Sequence, residues 1–157
     1  NGEIVLEKVR GKAIELEAVL EPGMAREVGL CVLRSPDGAE RTRISLFQKE
    51  GQRPGTSALQ IDVSEASLRS DVFARTPETG PFILEAGEVL RLRVFVDRSI
   101  VEVFANSRQC LTLRAYPERQ DSIGVSVFTR GGAAKLVSLD SWQMHSVWPE
   151  LTNYEGA

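Results

Sequence analysis

Apolar residues in this chain recur at every second position, and no segment carries a helical period. In residues 13–21, AIELEAVLE, Ile14, Leu16, Ala18 and Leu20 share one side, and Glu15, Glu17 and Glu21 share the other. A strand sends successive side chains to opposite faces, so this segment is a ribbon with one apolar face. Wound as a helix, the same four apolar residues would scatter around the cylinder and leave no stripe to bury. Glu21-Pro22-Gly23 then stops the strand.

The alternation continues along the chain. In REVGLCVLR, Val28, Leu30 and Val32 lie on one side and Cys31 and Leu33 on the other, so both faces of this strand are expected to be covered. Ser35-Pro36-Asp37-Gly38 is a turn signal, and strands of about 26–34 and 40–48 flank it as a hairpin. Residues 49–56 read as loop, and 57–64, SALQIDVS, as a short strand. Residues 65–80 are the least regular. Pro77, Gly80 and Pro81 mark them as a crossing from one sheet to another. Five strands then follow in succession: EVLRLRVFVD, SIVEVFAN, RQCLTLRAYP, SIGVSVFTR and AKLVSLDSWQMHSV. Short strands at regular spacing with turn signals predict an all-β, two-sheet antiparallel β-sandwich of about ten to twelve strands. The absence of an internal repeat argues against a propeller.

The 157 residues predict one domain, 1–150, with 151–157 as a flexible tail. A net charge of −3 without a basic block argues against a nucleic-acid partner, and the short apolar runs argue against a membrane span. The chain opens on Asn1 with no signal-peptide pattern. It reads as a piece of a longer polypeptide, whose missing part sets the compartment. Cys31 and Cys110 both sit in apolar strand runs and are expected to be buried free thiols. A bridge between them would need neighbouring strands. Two cysteines and His145 make no zinc site, and no other metal or cofactor site is expected.

Residues 94–106, VFVDRSIVEVFAN, hold the one constellation that resembles chemistry. Asp97 and Glu102 lie near the separation used by glycosidase carboxylates, roughly 5–10 Å. A hairpin, however, presents a surface and not a cleft. Asp97, Arg98 and Ser99 are better read as a structural turn, with Asp97 accepting the backbone N–H two residues on. Without glycine, a longer type I turn with a bulge is expected in place of a tight two-residue one. Glu102 shares a face with Ile100 and Phe104, and Arg91 or Arg93 is its expected cross-strand partner. Asn106 opens the next turn, Asn106-Ser107-Arg108, because asparagine tolerates left-handed φ. His145, expected in the last strand, has no catalytic partner in sequence. No catalytic residue is expected in this chain.

VFVDRSIVEVFAN, followed by CLTLRAYP and a closing strand ending SVWP, resembles the C-terminal β-sandwich module of glycoside hydrolase family thirty-two, the β-fructosidases. The resemblance is strongest over 87–148. It implies a lectin-like, concanavalin-type jelly roll that packs against an N-terminal five-bladed catalytic propeller of the same polypeptide. The family's catalytic motifs, Asn-Asp-Pro-Asn, Arg-Asp-Pro and Glu-Cys, do not occur here. The resemblance therefore implies a non-catalytic module of a fructan- or sucrose-hydrolysing enzyme, with a homodimer as a further expectation. The competing reading is a fructan-binding module. Its weak candidates for substrate contact are Trp148 and Tyr154 near the terminus, with Trp142 read as core.

Overall fold

The computed structural model describes residues 2–48, 57–73 and 75–146. Eleven strands occur among them, and no helix. They are β1 (Gly2–Arg10), β2 (Ala13–Glu21), β3 (Glu27–Arg34), β4 (Thr42–Phe47), β5 (Ala58–Asp62), β6 (Glu78–Pro81), β7 (Leu90–Asp97), β8 (Ile100–Ala105), β9 (Gln109–Arg114), β10 (Gly124–Arg130) and β11 (Lys135–Gln143). Six form one antiparallel sheet in the order β1-β10-β3-β4-β5-β6, and five form the other in the order β11-β2-β7-β8-β9. The two sheets enclose a single apolar core.

The alternation of β2 and β7 decides what lies in that core. Leu16 stands opposite Val94, Ala18 opposite Leu92 and Leu20 opposite Leu90, and all are buried. Ile44, Leu46, Leu59 and Ile61 meet them from the larger sheet. Truncating one such Leu or Ile to Ala costs about 2–5 kcal/mol, because the site cannot collapse around the void.

β3 is buried at every position, as its two-sided apolar pattern suggests. Its details differ from simple alternation. Gly124 pairs with Arg34 and Ser126 with Cys31, which leaves Val32 and Leu33 facing the single Val125. This bulge sits at Leu33, whose φ is +48°, and it turns Leu33 into the core beside Val32. Cys31 stays on the outer face. There the stems of charged residues cover it. Glu3 pairs with Arg34 at 2.7 Å, Arg43 with Asp62 at 2.6 Å and with Glu65 at 2.7 Å, and Arg41 with Glu65 at 2.9 Å.

Three expectations are corrected. Residues 65–80 are not the crossing: 78–81 form β6 beside β5, with Pro81 opposite Ala58, and the chain changes sheets over 82–89. An edge strand needs a ladder N–H on one side only, so it accepts a proline. β11 does not alternate between core and solvent. It is exposed along almost all its length, Trp142 included. β1 is equally open. Both are edge strands that only partly reach the core, through Leu6 and Val9 on β1 and Leu139 on β11. β11 also ends at Gln143, so His145 lies beyond it, exposed.

Candidate functional surfaces

The turn residues lie where the sequence put them, but other contacts hold them. Asp97 pairs with Ile100, so Arg98 and Ser99 make a two-residue connection, with Arg98 at φ +53°. This is tighter than the bulged turn expected. Neighbouring segments clamp it: the Arg98 N–H donates to the Lys12 carbonyl at 2.6 Å, and the Ala115 N–H to the Ser99 carbonyl at 2.8 Å. Arg114 adds a bond to Ser99 Oγ at 3.2 Å. The Asp97 carboxylate makes no hydrogen bond among the described residues. The donors and acceptors that stabilise this turn come from distant sequence, which local pattern cannot reveal.

Asn106 adopts the left-handed φ expected of it, +48°. Its amide Nδ2 donates to the Val89 carbonyl at 2.9 Å and to Glu88 Oε1 at 2.8 Å. Arg108 Nη2 reaches Glu88 Oε2 at 2.8 Å. The Glu85 N–H, then Asn106, then Arg108 hold the Glu88 carboxyl below its usual value.

Register sorts the outer face of the five-stranded sheet into rows. One row runs Trp142, Glu15, Phe95, Glu102 and Thr112 across β11, β2, β7, β8 and β9. The next runs Asp140, Glu17, Arg93, Phe104 and Cys110. Phe95 and Phe104 meet edge to face, with centroids 6.1 Å apart, and Arg93 caps Phe95 at 5.0 Å. An open cavity of about 1120 Å³ stands over the middle of these rows, at Phe95 and Glu102 and at Glu17, Arg93 and Phe104, rimmed by Gly87–Val89 and by Asn106 and Ser107.

On this face Glu102 finds neither arginine. Its Oε1 accepts from Thr112 Oγ1 at 2.9 Å, while Arg93 turns to Glu15 at 2.6 Å. Strand order explains the difference: β7 lies between β2 and β8, and β2 offers Arg93 two glutamates. Cys110 is exposed on the same face, contrary to expectation, and Cys31 is buried in the other sheet, so both are free. Burial pushes the Cys31 thiol up to about 11.

The sequence reading overlooked Glu40. It is fully buried, yet accepts from the N–H groups of Leu68 at 2.9 Å, Glu118 at 2.8 Å and Arg119 at 3.1 Å, and from Ser122 Oγ at 2.5 Å. Burial pushes its carboxyl up, but these four bonds outweigh it and hold it below the ordinary value. Glu40 thus ties the β3–β4 hairpin to two loops far away in sequence. Among the described residues no group of three or more His, Cys, Asp or Glu is placed to hold a metal. Trp148 and Tyr154 lie outside the described residues.

Two antiparallel sheets with an open polar and aromatic face define a lectin-like β-sandwich. A galectin from Caenorhabditis elegans, LEC-6, shares this fold over 90% of both chains, with a TM-score of 0.61 at 12% identity. The chain belongs to the family described as the C-terminal domain of glycosyl hydrolases family 32, which matches residues 1–143. It is 34% identical over 160 residues to a levanase of Bacillus subtilis (strain 168), covering 97% of this chain and 22% of the levanase. Fructan 1-exohydrolase IIa of Cichorium intybus superposes with a TM-score of 0.79 at 19% identity, over 92% of this chain and 33% of that one. The chain thus spans about a fifth of the levanase's length.

Proposed function

We propose that this chain is the non-catalytic sandwich module of a fructan- or sucrose-hydrolysing β-fructosidase, and that it packs against a catalytic propeller elsewhere in the same polypeptide. The observation that carries this reading is the extent of the match. The C-terminal domain family covers residues 1–143, while the chain spans only 22% of a levanase that resembles it along its length. The family's catalytic motifs are absent from the sequence.

Exposed apolar residues support the docking. Ile4 is 70% exposed, Met24 87% and Val137 47%. Ile4 lies on edge strand β1 opposite Val127, Val137 lies on edge strand β11, and the Met24 backbone lies against Gly132 of the β10–β11 connection so closely that a Cβ there would be 2.4 Å from the Met24 oxygen. Exposed apolar side chains on the unpaired edge of each sheet, Ile4 on β1 and Val137 on β11, suit burial against a second domain. Expressing the chain and the catalytic segment of the same protein as separate pieces tests this. Co-elution and a higher melting temperature of the catalytic piece are expected, and both should be lost with Ile4→Asp combined with Val137→Asp. Fructose released by the chain alone would defeat the reading.

A further inference from the structure

We infer that the outer face of the β11-β2-β7-β8-β9 sheet is a binding site for a neutral oligosaccharide of fructose. Its size and shape come first. The cavity over this face, about 1120 Å³, slightly exceeds what ligand sites commonly occupy, roughly 300–1,000 Å³, so it has room for a ligand of several rings. The cavity lies over β2, β7 and β8, and the sheet continues on either side of it to β11 and β9, so five strands at ~4.8 Å spacing make a track about 19 Å long, enough for several sugar units in line.

The track carries rings at useful places. Beyond the cavity lining, Trp142 sits at the β11 end of the row that holds Phe95, and the residue is 48% exposed. Phe104 packs its edge against Phe95 in the adjoining row. Sugar rings present flat C–H faces, and an exposed indole is the side chain best suited to cover one, offering apolar area with a polar N–H at its rim.

Hydrogen-bonding capacity is set out beside these rings. Among the described residues, the Arg91 guanidinium bonds no protein atom, so its N–H donors face the cavity uncommitted. Glu102 uses Oε1 for Thr112 and leaves Oε2 open. Arg93 is held by Glu15 at 2.6 Å, so its position is set before any ligand arrives. Donors and acceptors fixed in advance lower the ordering cost of binding.

Charge then selects the ligand class. Three carboxylates, Glu17, Glu88 and Glu102, line the cavity against two guanidiniums, Arg91 and Arg93. With Arg108 paired to Glu88, acids and arginines balance and interleave, so neither a polyanion nor a cation meets a patch of opposite sign. Hydroxyl groups donate and accept together, so a neutral polyol satisfies both sets. That the sugar is fructose rests on the function proposed above.

The test titrates the full chain with levan-type and inulin-type oligosaccharides by calorimetry. Saturable binding is expected. Trp142→Ala and Arg91→Ala should each weaken it about tenfold or more, with unchanged circular dichroism and melting temperature. Lys8→Ala, exposed on β1 of the other sheet, should leave it unchanged. A folded chain that binds neither fructan at millimolar concentration overturns the inference, as does binding indifferent to Trp142 and Arg91. Binding only to other neutral glycans overturns the fructose assignment. If Trp142→Ala abolishes association with the catalytic segment and no sugar binds, the face is a protein-docking surface and the inference falls. Co-elution with the catalytic segment is read separately, so failure here and failure of the docking proposal are distinguishable.

Discussion

Asn106 grips Arg91 at both ends of one peptide-bonded residue. The Asn106 N–H donates to the Arg91 carbonyl at 2.9 Å, and Asn106 Oδ1 accepts the Arg91 N–H at 2.7 Å. The β8–β9 turn is thereby fastened to the first residues of β7, and the rim of the cavity with it. Asn106→Gly keeps the left-handed backbone but removes three side-chain bonds, and should cost about 1–2 kcal/mol. Asn106→Ala should cost about 1 kcal/mol more, because its Cβ is disfavoured at positive φ. Urea unfolding checks both, and wild-type stability in either variant would refute the latch.

Glu40 makes stability depend on acid. Its folded carboxyl is held below the unfolded value of about 4.5. A group depressed on folding stabilises the protein above its unfolded value, and that contribution is lost as pH falls through the folded one. Glu3, Asp62 and Glu65 shift in the same direction. The melting temperature should therefore fall as pH drops below about 4.5, and Glu40→Gln should flatten part of that fall while lowering stability at neutral pH. Glu40→Ala removes the acceptor of four donors, the Ser122 hydroxyl fully buried among them, and should cost about 3 kcal/mol. Parallel pH profiles for wild type and Glu40→Gln would sink this account.

The β7–β8 turn should tolerate change at Asp97 and improve with glycine at Arg98. With no hydrogen bond to lose among the described residues, Asp97→Ala should stay within about 0.5 kcal/mol of wild type. Arg98→Gly removes a Cβ from a left-handed position, φ +53°, and keeps the N–H that donates to Lys12. A gain of about 0.5–1 kcal/mol is expected. Thermal melts of the two variants decide, and a marked loss for Asp97→Ala would show that its carboxylate holds the turn.

The two thiols should react very differently. Cys110 is exposed on the cavity face, while Cys31 is buried with its thiol pushed up to about 11. A native chain treated with iodoacetamide at neutral pH should take one adduct, at Cys110, and a second only after unfolding. Intact-mass and peptide mapping read this directly, and rapid modification of Cys31 would contradict the packing of β3.

The fold was legible because its signal is local. Period two in 13–21 and 88–97 named the residues that share a face, and those of β2 and β7 fill the core. The hairpin at 27–47 and the left-handed Asn106 were also readable, since turn chemistry sits beside the strands it joins. Periodicity does not say which face another layer will cover, or whether a strand ends at an edge. Cys110 and Trp142 fell on the open face for that reason, although both sit in runs that look buried. The Leu33 bulge needed Val125 on β10 to exist. Glu40 needed Ser122 and two loops, and the Arg98 turn needed Lys12 and Ala115. The sequence by itself determined most of the strands, which residues share a side of each, and the fold class, because backbone geometry imposes these residue by residue. Strand order and register decided the rest, including the row that sets Trp142 beside Glu15 and Phe95. Such contacts join residues far apart in the chain, and only the assembled sheets bring them together.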